Sequence, residues 1–96
     1  KAVDSHSCNL GMWYDNEGKE RFINTGTYHK IATPHNIVHT NANKNLDFID
    51  TVNPEEEVIT YADEIIGNFE KMETASEELF SLLDQMLNES ENITEL

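Results

Sequence analysis

The chain has one cysteine, Cys8, in 96 residues, so no intramolecular disulfide framework exists. That fits a reducing compartment, and a cytoplasmic location is expected. It has no run of eighteen apolar residues and no signal-peptide pattern at its start, so no membrane contact is expected of it. Basic residues are also scarce: 6 lysines and arginines face 19 acids, for a net charge of −13. Such a surface repels phosphate backbones and anionic lipid, which argues against nucleic acid as a partner. The chain starts at Lys1-Ala2-Val3 without a methionine, and is expected to be a piece of a larger protein.

The charge is unevenly placed. Residues 1–53 hold six acids against five bases, whereas residues 54–96 hold thirteen acids against Lys71 alone. The plainest reading of the second half is a solvated acidic helix face. Its apolar residues are periodic: Val58, Ala62, Ile65, Phe69, Met72, Ser76, Leu79, Leu83 and Met86 recur in alternating steps of four and three. Ile59, Ile66, Phe80 and Leu87 widen that seam into an expected core-facing stripe. Asn53 is the expected N-cap, Pro54 suits the first helical position, and Glu55, Glu56 and Glu57 complement the helix dipole. A helix over roughly 54–88 follows.

Tyr28, Ile31, Ala32, His35, Val38, His39, Ala42, Leu46 and Ile49 share a face of a second helix, expected over roughly 27–51. Pro34 interrupts it, so a kink or a restart of the helix is expected there, with Thr33 capping the restarted segment. A short helix over roughly 5–14 carries Cys8 and turns Leu10, Trp13 and Tyr14 inward. "DNEGKERF" then reads as a polar turn around Gly18 and "INTG" as a loop. No strand pattern or repeat is present. The expected fold is a single all-α domain over 1–96, an incomplete four-helix bundle. The missing helix is expected from the N-terminal side or from a second chain.

His35 and His39 are spaced i, i+4 and project from one helix face, where two imidazoles can share a metal ion. Alone, HxxxH is as well read as two hydrogen-bonded histidines, and Cys8 alone as a small buried hydrophobe. Together, a thiolate and two imidazoles form a donor set suited to tetrahedral zinc. A Cys–His catalytic pair is the competing chemistry. Nothing in the sequence suggests a cleft or an oxyanion hole to serve it, and no enzymatic activity is expected.

"DSHSCNLGMWY", "GKERF", "TYHKIATPHNIVH" and "FEKMETASEELFSLLDQM" resemble the chemoreceptor zinc-binding (CZB) domain over most of the chain, from about Asp4 to Met86. The family pattern of C-x-hydrophobic-G followed by H-x-x-x-H falls on Cys8, Gly11, His35 and His39. The resemblance implies a zinc ion held by three histidines and a cysteine in a four-helix bundle, with Cys8, His35 and His39 carrying over directly. The family's first histidine has no counterpart, since its helix would lie upstream of Lys1. His6 and His29 are poor substitutes by position, so a water, a partner chain or a truncated first helix is expected in the fourth place. The resemblance further implies a regulatory role in a bacterial methyl-accepting chemoreceptor, sensing zinc or oxidants such as hypochlorous acid. A homodimer and a neighbouring signalling domain are its expected partners. Two alternatives stand beside it: a regulatory zinc domain of a diguanylate cyclase, and a metal-free structural dimerisation module.

Overall fold

A computed structural model describes residues 4–94, with side chains through residue 91. Every regular element among them is helical: α1 (Asn9–Asp15), α2 (Glu17–Phe22), a 3₁₀ turn (Tyr28–Lys30), α3 (Ala32–Ile49), α4 (Pro54–Thr60) and α5 (Ala62–Thr94). The molecule is a rod with principal extents of 59 × 22 × 13 Å. Its length is set by α5, whose 33 residues at 1.5 Å rise span about 50 Å. The frame is a hairpin of α3 against α5, joined through α4. The short α1 and α2 and the 3₁₀ turn gather at the end where α5 finishes.

Four expected boundaries shift, the first being that the helix expected over 27–51 is a 3₁₀ turn (Tyr28–Lys30) followed by α3 from Ala32 to Ile49. The helix expected over 5–14 starts at Asn9, with Cys8 as its N-cap. The "polar turn" around Gly18 is instead α2, and Gly18 is buried because a Cβ there would stand 2.8 Å from the Trp13 ring. The helix expected over 54–88 breaks at Tyr61 and then continues through Thr94. The run Val58-Ile59-Thr60 is β-branched and propagates a helix poorly. Tyr61 leaves helical geometry (φ −109°, ψ 25°), and its ring stacks on Phe48 at 5.0 Å.

Pro34 marks a restart of the helix and not a kink within it. It lies in the first turn of α3, where its missing N–H has no intrahelical partner to lose, and Ile31 rather than Thr33 occupies the N-cap. Pro54 opens α4 as expected, although Asn53 makes no side-chain cap bond.

The core sits at the α1–α2 end. Phe22, Tyr28 and Ile31 pack there against Leu79 and Met86 of α5, with Leu10, Trp13, Tyr14, Ile23, Leu82 and Leu83 around them. Tyr14 and Tyr28 stack at 4.3 Å, and each hydroxyl donates to the other's carbonyl oxygen, at 2.6 and 2.7 Å. Glu89 fastens the end of α5 to the same region, its carboxylate accepting from the Thr27 N–H (3.0 Å) and hydroxyl (2.8 Å). Those bonds hold its carboxyl below the usual range.

Further along the hairpin the contact turns polar. Asn41, Asn45 and Asn68 are buried, Asn68 donates to the Asn45 Oδ1 at 2.9 Å, and Asn45 donates to the Ile65 carbonyl at 3.3 Å. The inward face of α5 therefore runs through Asn68, Ala75, Leu79 and Met86. Phe69, Phe80, Ile66 and Leu87, expected to face the core, point outward. Small and amide side chains let α3 and α5 approach closely, and a phenylalanine ring at this seam would hold them apart.

Candidate metal centre

The site is assembled from two segments that local chemistry shapes separately. The first is the turn Asp4–Ser7. The Asp4 carboxylate accepts from the His6 N–H (2.8 Å), the Ser7 N–H (3.0 Å) and the Ser7 hydroxyl (3.2 Å), an aspartate-capped turn. These bonds, the His6 one foremost, hold its carboxyl below the usual range. The turn delivers Cys8 to the N-cap of α1, where Sγ accepts the Gly11 N–H at 3.3 Å and lies 3.4 Å from the Ser5 carbonyl oxygen.

The second segment is α3, which presents His35 and His39 one turn apart with ring centroids 4.8 Å from each other. His35 is buried. Burial first, and the neighbouring His39 second, push its pKa below the ordinary imidazole value, which favours the neutral form a metal requires. Ser5 ties the segments together by donating its hydroxyl to the Asn36 Oδ1.

Where the segments meet, Cys8 Sγ lies 3.2 Å from His35 Nε2, and one ligand atom from each of Cys8, His35 and His39 falls within 4.8 Å of the others. A tetrahedral zinc, with Zn–S near 2.3 Å and Zn–N near 2.0–2.1 Å, spaces its ligand atoms about 3.5 Å apart. The Cys8–His35 pair is at that spacing already, and the group fits the ion with a closure of about 1 Å. No other group of three metal-ligating side chains this close occurs among the described residues.

The remaining histidines stand outside the group. His6 is exposed and pairs with Asp15 through Nδ1 at 2.8 Å, a contact that raises its pKa. His29 is exposed, with its ring edge-on to Tyr28. Sequence reasoning missed Ser5, Asn36 and the role of Gly11. The Asp-x-x-Ser pattern at Asp4–Ser7 was the available signal for the turn. The missing side chain of Gly11 admits the chain's own backbone: a Cβ there would lie 1.7 Å from the Ser5 carbonyl oxygen.

By its donor set, the Cys8/His35/His39 group of this helical protein is one that could hold a metal ion. Comparison with family models names the kind: residues 1–46 match the chemoreceptor zinc-binding domain. The matched segment, a little under half of the chain, contains Cys8, Gly11, His35 and His39. No curated protein and no solved structure gives a significant match. No helix among the described residues is long and apolar enough to cross a membrane.

Proposed function

We propose that this chain is a zinc-binding regulatory domain of a cytoplasmic chemoreceptor, in which Cys8, His35 and His39 are the protein's zinc ligands. The convergence of their three ligand atoms carries the reading. Bound there, zinc supplies a Lewis-acidic crosslink between the Cys8 segment and α3. The chain's own residues prepare it: the Gly11 N–H steadies sulfur, burial keeps His35 neutral, and the Ser5–Asn36 bond holds the two segments in register. A water or a group from a second chain takes the fourth position.

The signal on this reading is zinc itself, or an oxidant. Attack of the Cys8 thiolate on hypochlorous acid gives a sulfenic acid and chloride, a two-electron oxidation of sulfur at the expense of chlorine. The oxidised sulfur is a poorer ligand, so the Cys8 segment is released from α3. The domain acts on a neighbouring signalling domain and works as a homodimer. The groove between α3 and α5, about 650 Å³, supports a second copy. Asn41 lines it, donates Nδ2 to the Ile37 carbonyl at 2.8 Å, and keeps a buried Oδ1 that no donor meets. A partner helix would supply that donor.

The test is zinc stoichiometry by elemental mass spectrometry on metal-replete, dialysed protein. The full chain is expected to retain zinc, and Cys8→Ser and His39→Ala to lose it while keeping their helical circular dichroism. Zinc retained equally in both variants, or absent from all three proteins, would reject the site in favour of a metal-free structural module.

A further inference from the structure

The metal centre and the α3–α5 contact leave the outer face of α5 unused. Ile66, Phe69, Phe80 and Leu87 lie along it, each at least half exposed and Phe80 67% so. At 3.6 residues per turn the four fall within about 60° of one another and extend over about 32 Å. Exposed large apolar side chains gathered on one helix face and rimmed by charge mark interaction sites. Asp63, Glu70, Glu73, Glu77, Asp84 and Glu91 interleave with the strip or border it, and all six are exposed. The one base of α5, Lys71, lies on the rim of the α3–α5 groove, about 140° around the helix from Ile66.

Charge decides what can cover this face. A second copy brought against it would set six carboxylates against six, within the ~10 Å over which exposed charges still act at moderate salt. Nucleic acid and anionic lipid are repelled for the same reason. A helix with an apolar stripe and flanking lysines or arginines meets both demands at once. We propose that the outer face of α5 is a docking surface for a basic amphipathic helix of a partner protein. That helix buries its apolar stripe on Ile66, Phe69, Phe80 and Leu87 and places its cations against Glu73, Glu77 and Asp84. The proposal stands apart from zinc binding and does not depend on it.

Two synthetic helical peptides of about 20 residues, one leucine–lysine and one leucine–glutamate with the same apolar stripe, test it by fluorescence anisotropy against the full chain. The basic peptide is expected to bind and the acidic one not. Phe69→Ser/Phe80→Ser should weaken binding by at least about tenfold, and Glu73→Lys/Glu77→Lys should weaken it severalfold and reduce its salt dependence. These side chains are exposed, so circular dichroism should be unchanged in both variants. Equal binding of the two peptides, binding of neither, or an unaffected serine variant would overturn the proposal. So would sedimentation showing self-association that Phe69→Ser/Phe80→Ser abolishes, which would give the face to a second copy.

Discussion

Replacing Gly11 by alanine adds one methyl group at a close backbone approach beside the candidate metal centre. The new Cβ would stand 1.7 Å from the Ser5 carbonyl oxygen, 2.8 Å from the Ser5 carbonyl carbon and 3.0 Å from the His6 Cα. All three are backbone atoms, so no side-chain rotation relieves the overlap. Restoring ordinary contact near 3.4 Å requires the Ser5–His6 backbone to move by about 1.7 Å. Cys8 lies two residues further on and its Sγ accepts the N–H of Gly11 itself, so the displacement reaches the sulfur. Metal–ligand distances tolerate only about ±0.2 Å.

A ligand whose supporting contacts are lost typically costs about 10–100-fold in metal affinity, and this range is expected for Gly11→Ala. Competition against a chromophoric zinc chelator measures it. Gly67→Ala is the matched control: a Cβ there meets nothing within 4 Å, and alanine in a helix interior adds about 0.5–1 kcal/mol of stability. Its zinc affinity should equal that of the unmodified chain. Zinc binding by Gly11→Ala within about twofold of the unmodified chain would refute the reasoning, because the Ser5 turn would then have moved without carrying Cys8 along.

Two further outcomes follow from the polar and aromatic contacts. Asn68→Ala strips the donor from a buried Asn45 Oδ1 and should cost about 1–3 kcal/mol in urea unfolding; a midpoint unchanged from the original would mean that water satisfies Asn45 there. Burial pushes the Tyr14 pKa up to about 12, with the Tyr28 phenol beside it as the next cause. A phenol whose pKa rises on folding contributes stability that is fully present below its unfolded value near 10 and is lost as pH climbs through about 12. Tyrosinate absorbance should therefore show Tyr14 protonated well above pH 10, and Tyr14→Phe should remove that late step; ionisation of Tyr14 at the free-phenol value would sink the stacked pair.

The helical class was legible because it rests on periodicity within single segments. Heptad spacing of apolar residues says that a stretch is helical, but it does not say which of two adjacent faces meets a partner. Along α5 the strip through Ile66, Phe69 and Phe80 is the more hydrophobic, and hydrophobicity alone assigned it to the core. The observed seam is one residue further round at two positions, Asn68 for Phe69 and Ala75 for Ser76. Asn45 and Asn41 on α3 decide this, because their amides are buried in that seam and Asn45 pairs with Asn68. A cross-helix hydrogen bond between residues 23 apart leaves no mark in local spacing.

The metal centre divides in the same way. His35 and His39 were legible because i, i+4 is a distance fixed by the helix itself. Cys8 was not placed by any local rule: it lies 27 positions from His35, and although the loop at "INTG" was legible, α2 and the 3₁₀ turn on either side of it were not. The C-x-x-G motif was the carrier, and the structure gives its physical content. Cys8 caps α1 through the Gly11 N–H, and the missing side chain of Gly11 is the space in which the Ser5 carbonyl passes. The same four residues thus fix where the helix starts and where sulfur points. A change that spared the thiol but lengthened that turn would disable the site as surely as removing the cysteine.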